Sequence, residues 1–583
     1  MQNIDSVWAY IIVEECIRNG ITLFCISPGS RSTYLTGAVA RHKKAKAKLF
    51  IDERSAAFFA LGYAKATGKP APLICTSGTA VANYFPAVVE AKMSGVPMII
   101  LSADRPPELR QTGANQTIQQ PAIFGEYVKW QTDLPCPTEE IQPEMVLTTV
   151  DQAVFQSINE LPGPVHLNCM FREPLQPEEV DLNAPALRHL SKWRENQTPF
   201  TSYCKPNDTN TSLNGDLNNL TDTLFSAKQP FITIGALLSP EEVTALYELC
   251  KQLNAPFYAD ISSGLRLSAF KNHVAHLDLL LNSEPFAKQF QPDVYVHIGG
   301  AMVSKRIQQH ISKLDCNEKI LIKSHPYRFD QHHQFTQSFQ WPLASFSKYF
   351  LSNLNPKLQT GTLDCTKASS VISETLKGYI QESELDERTL PMLVSKYIQP
   401  NQKLFLSNSM PVRDMDMFGL PAERIIHTGT NRGASGIDGI ISSALGFMHG
   451  HQTTATLIIG DLSFMHDLNA IYQVQASEYP LILIVINNGG GGIFSYLPIS
   501  SQKDIFETYF ETPQIQDFEA IARLAKIHYM QPKSNQEFAK VYQEAQNHSK
   551  SSLIEIKTMR KENVAQHQAL YAYLIKQLGT YGY

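Results

Sequence analysis

The stretch IIGDLSFMHDLNAIYQVQASEYPLILIVINNGGGGIF (458–494) places oxygen-bearing residues at the ends of two apolar runs. The first run ends at Gly460-Asp461, and the next ends at Asn487-Asn488 before four glycines. If the runs are neighbouring parallel strands, Asp461 and Asn488, 27 residues apart, meet at one sheet edge. A carboxylate, an Asn carbonyl oxygen and a bared backbone carbonyl at Gly490 make a hard oxygen set suited to Mg²⁺. Such sites complete their octahedra with phosphate oxygens and water. The glycines let backbone approach a ligand without side-chain obstruction. Either half alone reads equally as a Gly-rich turn or as an Asp capping a helix; together they point to a metal and a diphosphate.

A second carboxylate stands in FIDERSAAFFALG (50–62), where an apolar strand runs into an almost wholly apolar helix. Glu53 follows Ile51 and precedes Ala56, Ala57, Phe58 and Phe59. Apolar surroundings favour the protonated form of a carboxyl and suit it to proton chemistry. Taken alone, it also reads as a surface Glu capping the helix. Three further clusters hold arginines beside small polar residues: Ser30 and Arg31 in CISPGSRSTYL, Arg105 and Gln116 in ILSADRPPELRQTGANQTIQQ, and Ser409, Arg413 and Arg432 in NSMPVRDMD and TNRGASGIDG. Each is singly more often a surface arginine. Four grouped at strand-end turns suit a substrate with several carboxylates, because guanidinium is always charged and binds bidentately.

These residues need parallel sheets to place them. Short apolar strands alternate with helix-length segments nearly throughout, from ITLFCI and KLFID to ATLIIGD and PLILIVINN, which implies an α/β chain with helices on both sheet faces. Polar, aperiodic stretches at 195–219 and 352–367 read as linkers. The expectation is three doubly wound parallel-sheet domains, at 1–185, 225–350 and 372–583. Residues 72–106 also fall on 455–489 at a constant offset of 383, with Gly78 to Pro97 and Asp461 to Pro480 both 19 apart. That pattern fits either a duplicated domain or two unrelated βαβ units, and ligands would sit at strand C-terminal ends.

The 583 residues exceed one hydrophobic core, and 43% hydrophobic with 18% charged residues describes a globular chain. A net charge of −5 gives no electrostatic reason to expect nucleic acid or an anionic membrane surface. The basic RHKKAKAK (41–48) reads as solvating a helix end. Nine scattered cysteines without C-x-x-C argue against disulfides or structural zinc and for a reducing cytoplasm. MQNIDSVWAYIIVEECIRNG reads as an amphipathic first helix, not a signal peptide, and no apolar run approaches membrane-spanning length.

The GD…NN spacing matches the thiamine-diphosphate signature, with Leu462 where Gly is usual. In that chemistry a carboxyl hydrogen-bonds the aminopyrimidine ring nitrogen, which is the role Glu53 suits. SPGSRS, DERSAAFFALG, TSGTAVANY, SADRPPELR, GANQ, NRGASGIDG and GDLSFMHDLNA together resemble the 2-succinyl-5-enolpyruvyl-6-hydroxy-3-cyclohexene-1-carboxylate synthases of menaquinone biosynthesis. The resemblance implies pyrimidine-binding, central and diphosphate-binding domains, and a homodimer or dimer of dimers with no nucleic-acid partner. It implies 2-oxoglutarate, decarboxylated and added 1,4 to isochorismate. Carried over by motif, Glu53 activates thiamine diphosphate, and Asp461, Asn488 and the Gly490 carbonyl hold Mg²⁺ or Mn²⁺. Ser27, Pro28, Gly29, Thr79, Asn83, Ser435, Gly436, Ile437, Gly460, Leu462, Ser463, Ile493 and Phe494 contact the cofactor. Ser409, Arg413 and Arg432 take substrate carboxylate, while Ser30, Arg31, Arg105, Gln116 and the central Lys305 form the isochorismate side. Ile437, Ile493, Phe494 and Leu497 form an apolar wall. The alternatives are a pyruvate-acting thiamine enzyme and a catalytically silent sensor on the same scaffold. A dinucleotide module at VHIGGAMVSKR lacks G-x-G-x-x-G.

Overall fold

Strands with apolar side chains at successive positions must be covered on both faces. The computed structural model, which describes residues 3–182, 187–203 and 214–583, meets that demand with three sheets, and every strand pair among these residues is parallel. The first holds β1 (Leu23–Ile26), β2 (Lys46–Leu49), β3 (Leu73–Cys75), β4 (Met98–Asp104), β5 (Trp130–Leu134) and β6 (Pro164–Met170), in the order β2-β1-β3-β4-β6-β5. Helices Ile4–Arg18, Thr33–Arg41 and Pro143–Ile158 give Trp8, Leu35 and Val150 to one core with Phe24, Ile99 and Val165. Helices Glu53–Thr67 and Phe85–Ser94 pack on the sheet and on each other.

The second sheet holds β7 (Pro230–Ile234), β8 (Phe257–Ala259), β9 (Val294–Ile298), β10 (Glu318–Lys323) and β11 (Gln337–Gln340), ordered β11-β10-β9-β7-β8. The third holds β12 (Lys403–Leu406), β13 (Thr428–Thr430), β14 (Ala455–Gly460), β15 (Leu481–Asn487), β16 (His528–Met530) and β17 (Ser552–Lys557), ordered β13-β12-β14-β15-β17-β16. Counted along the chain, the first and third sheets have the same strand order. The 383-residue offset lays β4 on β15 end to end. The likeness thus extends beyond one βαβ unit to the strand order of both whole sheets.

The chain forms two compact units. One is Met1–Pro206 with Asn431–Gly450, and the other is Asn207–Thr430 with His451–Tyr583. Glycine explains why 431–450 belongs with the first sheet. A Cβ on Gly62 would lie 1.9 Å from the Ser443 carbonyl oxygen, and one on Gly446 would lie 1.9 Å from that of Phe59. Helices Glu53–Thr67 and Ile440–His451 thus touch backbone to backbone. Ahead of that helix, the amides of Gly433 and Ala434 donate to the two Glu90 carboxylate oxygens at 2.8 and 2.6 Å.

Three local expectations change. RHKKAKAK does not simply solvate a helix end: the helix stops at Arg41 and Lys46–Leu49 is the edge strand β2. Lys46 is exposed there and Lys48 Nζ lies 5.4 Å from the centroid of the Phe59 ring; lysines are a common way of blunting an edge. Of the proposed linker at 195–219, 204–213 lies outside the described residues and a helix, Asn214–Ser226, begins at its end. The stretch 352–367 holds a short 3₁₀ turn and Asp364, which caps Cys365–Glu382. The first helix, Ile4–Arg18, is buried along most of its length, and its buried acids Glu14 and Glu15 are partnered. Glu14 meets Arg18 at 2.6 Å and His42 at 2.7 Å, and Glu15 accepts from Trp193 Nε1 at 2.7 Å. Among the described residues no helix is long and apolar enough to cross a membrane.

Candidate active site

Residues of the two terminal sheets that could do chemistry sit just beyond strand C-termini, where parallel sheets bind ligands. In the unit of the third sheet, β14 ends at Gly460 and Asp461 opens a short helix; β15 ends at Asn487, followed by Asn488. The register pairs Gly460 with Ile486, which brings the two ends level. Asp461 is buried, and its carboxylate accepts from Leu462 N at 2.7 Å and Gly490 N at 3.0 Å. Asn488 Oδ1 accepts from the same Gly490 amide at 3.3 Å. Two side-chain oxygens therefore converge on one point.

Gly490 makes this possible with φ 149°, and a Cβ there would lie 2.3 Å from the Glu511 carbonyl oxygen. Its own carbonyl accepts from Gly492 N at 2.9 Å. Burial pushes the Asp461 carboxyl above the ordinary range, against the pull of neighbouring backbone amides and Arg560. A buried carboxylate whose hydrogen bonds come from amides alone is a group that a bound cation would satisfy. Among the described residues no cluster of three or more His, Cys, Asp or Glu could hold a metal. A cation here would use one carboxylate, the Asn oxygen and backbone, with phosphate and water completing the shell. The donors fit a hard divalent ion.

Around this point, Ser463 Oγ lies 3.3 Å from Ser407 Oγ, and Ile493 and Phe494 lie in the 3₁₀ turn Gly492–Tyr496. Phe494 meets the Phe510 ring edge-on at 5.7 Å, and Leu497 is exposed. Beyond β12, Ser409 has φ 72°, and its carbonyl accepts from Arg413 on the helix Met410–Phe418. Lys305 is exposed at the start of the helix Lys305–Lys313, which Ser304 caps. Among the described residues no hydrogen bond or ion pair joins it to the other candidates.

In the unit of the first sheet, Glu53 begins the helix Glu53–Thr67 and is half-buried. It is not the cap: the Asp52 carboxylate accepts from Arg54 N at 2.9 Å and Ser55 N at 3.4 Å. The Glu53 charge is felt by two buried groups, Cys75 and Tyr84, each pushed up mainly by burial. Beyond β1, Ser27 is buried and Pro28, Gly29 and Ser30 are exposed; a Cβ on Gly29 would strike Thr76 at 2.3 Å. Thr79 and Asn83 are exposed at either end of the turn of helix Thr79–Ala82. Arg31 and Arg105 are 3% and 8% exposed, so neither is the surface arginine its residue type suggests.

Arg31 Nη1 donates to the Phe171 carbonyl at 2.9 Å, and Arg105 Nη1 donates to Ser77 Oγ and, at 3.2 Å, to the Gln116 carbonyl. Burial and then the charge of Arg31 lower the Arg105 pKa, so the structure brings these two cations together. Gln116, with φ 53°, contributes its carbonyl while its side chain is exposed. Arg432, Ser435, Gly436 and Ile437 lie on the loop held by Glu90, with Ser435 at φ 60° and Ile437 39% exposed.

Two groups escape a reading of motifs. Gln120, fully buried, accepts from Gly78 N at 2.9 Å and donates to Asn168 Oδ1 at 2.9 Å, tying the turn after β3 to β6. Glu387, 2% exposed, accepts from Asn488 Nδ2 at 3.1 Å and Thr558 Oγ1 at 2.9 Å. Nearby, Asp414 lies 3.1 Å from His567 Nε2. Burial, then the Asp414 charge, pushes Glu387 up, and burial also raises Asp414; burial lowers His567, but the charge and hydrogen bond of Asp414, the Asn563 carbonyl and the Glu387 charge together leave it raised.

Three family descriptions match in chain order. They are the N-terminal thiamine pyrophosphate (TPP) binding domain of thiamine pyrophosphate enzymes over 8–123, the middle domain over 184–406, and the C-terminal TPP binding domain over 423–556. The 2-succinyl-5-enolpyruvyl-6-hydroxy-3-cyclohexene-1-carboxylate synthase of Prosthecochloris aestuarii is 45% identical, over 99% of this chain and 98% of its own. That of Chlorobium limicola is 44% identical over 98% and 97%, and that of Pelodictyon phaeoclathratiforme 45% over 98% and 96%. The chain belongs to this synthase family. Its three sheets are those of the N-terminal, middle and C-terminal domains, and its cofactor is thiamine diphosphate.

Proposed function

We propose that the chain joins 2-oxoglutarate to isochorismate with loss of CO₂, forming 2-succinyl-5-enolpyruvyl-6-hydroxy-3-cyclohexene-1-carboxylate for menaquinone biosynthesis. The observation that carries this reading is the convergence of Asp461 Oδ2 and Asn488 Oδ1 on the Gly490 amide, at the carboxyl edge of a parallel sheet. It rests on a domain division at 1–185, 225–350 and 372–583, and on a homodimer or dimer of dimers in the cytoplasm. In that assembly Glu53 of one chain and Asp461 of its partner serve one cofactor.

Asp461, Asn488 and the Gly490 carbonyl hold Mg²⁺ or Mn²⁺ against the diphosphate, with Gly460, Leu462 and Ser463 beside it. Thiamine diphosphate, when bound, supplies the nucleophilic carbon and the electron sink for decarboxylation of a 2-oxo acid. Glu53, which Asp52 relieves of capping, exchanges a hydrogen bond with the aminopyrimidine ring nitrogen. Ser27, Pro28, Gly29, Thr79, Asn83, Ser435 and Gly436 shape the surroundings of that ring. Ser409, Arg413 and Arg432 bind 2-oxoglutarate carboxylate. The adjacent Arg31 and Arg105, with Ser30, Gln116 and Lys305, orient isochorismate. Ile437, Ile493, Phe494 and Leu497 exclude water, which disfavours a charged carboxylate and favours its loss as CO₂.

A mixture of 2-oxoglutarate and isochorismate should release CO₂ as isochorismate absorbance falls; equal turnover of pyruvate refutes the assignment. Glu53→Gln is expected to bind cofactor yet lose roughly 10²–10⁴-fold in turnover. Asp461→Ala is expected to lose metal-dependent cofactor binding.

A further inference from the structure

An Asn side chain has two ends of equal size and opposite chemistry, and only the oxygen can meet a cation. Asn488 therefore needs something that decides which end faces Asp461. The structure supplies it. Asn488 Nδ2 donates to Glu387 Oε1 at 3.1 Å, while Oδ1 takes the Gly490 amide at 3.3 Å. Reversing the amide would set its oxygen against the Glu387 oxygen and its NH₂ against the Gly490 N–H, a repulsion at both ends. Thr558 Oγ1 donates to the same Oε1 at 2.9 Å, so that atom is an acceptor whether or not a proton resides on Oε2. Gly492 leaves the amide its slot, since a Cβ there would lie 2.9 Å from Asn488 Nδ2. Glu387 is 2% exposed, so water has little access to take over its role.

We propose that Glu387 is a positioning residue: by accepting from Asn488 Nδ2 it holds the Asn488 oxygen toward Asp461, ready for the divalent cation. This rests on the metal-site reading above. Glu387 acts through Asn488, whose Nδ2 it holds. Partners of this kind, once removed, typically weaken metal binding about 10–100-fold.

The test is a calorimetric titration of the full-length protein with Mg²⁺ at saturating thiamine diphosphate, alongside thermal melts of the metal-free protein. Glu387→Ala is expected to weaken Mg²⁺ binding about 10–100-fold. Glu387→Asp, which withdraws the acceptor by one methylene and keeps the charge, should move in the same direction and serves if the Ala variant does not fold. Glu387→Gln keeps an oxygen for Asn488 and Thr558 and should bind within about threefold of the natural protein, well inside the loss expected for Ala. Wild-type affinity in the Asp variant and in any folded Ala variant overturns the proposal. So does a Gln variant as impaired as the most affected of these, or lowered melting of the metal-free variants with Mg²⁺ affinity unchanged. Asp461→Ala, run beside them, separates the two readings. It should abolish Mg²⁺-dependent binding, and retained affinity would remove the metal site and the positioning role with it.

Discussion

Ser409 holds a backbone conformation that residues with a Cβ avoid, φ 72° and ψ −130°, where β12 hands over to the helix Met410–Phe418. Such strain costs about 1–3 kcal/mol and tends to persist where the surroundings use it. Here it turns the Ser409 carbonyl onto the Arg413 guanidinium. Glycine adopts the same conformation freely but loses roughly 0.5–1 kcal/mol more chain entropy on folding. The balance leaves Ser409→Gly more stable by about 1 kcal/mol in urea unfolding. Without the hydroxyl, KM for 2-oxoglutarate should rise, and a loss of stability of roughly 0.5–1 kcal/mol, the bare entropy cost of glycine, would show that the Cβ carries no strain. NSMPVR marks this turn in the sequence, but its strain is invisible there, since serine has no sequence-level preference for positive φ. Glu387 was hidden for another reason: it lies 101 residues from the side chain it holds. Yet a signal existed. Asp-Glu-Arg occurs at 52–54 and again at 386–388. In both, the Asp accepts from the two amides that open a helix, at 2.8 and 3.1 Å for Asp386. In both the Glu is left free for another task.

Helix packing is what the apolar pattern could not rank. Strand alternation was readable because parallel strands such as β4 and β15 must be apolar on both faces, and each is a continuous run. The helix Ile440–His451 is buried on all sides through Met448, Ser442 and Ser443 included, so nothing in its periodicity names a neighbour. Gly62 and Gly446 decide it, by letting this helix meet Glu53–Thr67 at backbone distance. Gly439, at φ 61°, adds a third close approach, to the Phe58 ring. One helix opens with Glu53 and the other follows the loop of Arg432 and Ile437, so the contact sets both at once. Gly62→Ala forces the helices apart at a cost of about 1–3 kcal/mol, the usual range for overpacking. Its melting temperature and turnover should both fall, while Gly378→Ala, on a helix face where an added Cβ meets nothing within 4 Å, should be neutral or slightly stabilising. Equal behaviour of the two variants would mean the helices separate without penalty.

At the scale of the molecule, two sheets of identical strand order carry the two halves of the proposed site: Glu53 follows the second strand of one, and Asp461 and Asn488 follow the third and fourth strands of the other. The two carboxylates belong to different compact units of the chain. If each cofactor is shared between chains, as the family resemblance implies, then inactive variants should rescue one another. A dimer of one Glu53→Gln chain and one Asp461→Ala chain has one site with both lesions and one with neither. Unfolding and refolding an equimolar mixture gives hybrids as half of all dimers, so about a quarter of natural activity should return. Where Glu53 and Asp461 of a single chain serve the same cofactor, both hybrid sites carry a lesion and no activity returns. The two arrangements differ in outcome by the whole signal, and the parent variants assayed alone set the zero. Co-refolding either variant with itself under the same conditions keeps the comparison free of refolding losses, because only exchange between unlike chains can produce an unblemished site.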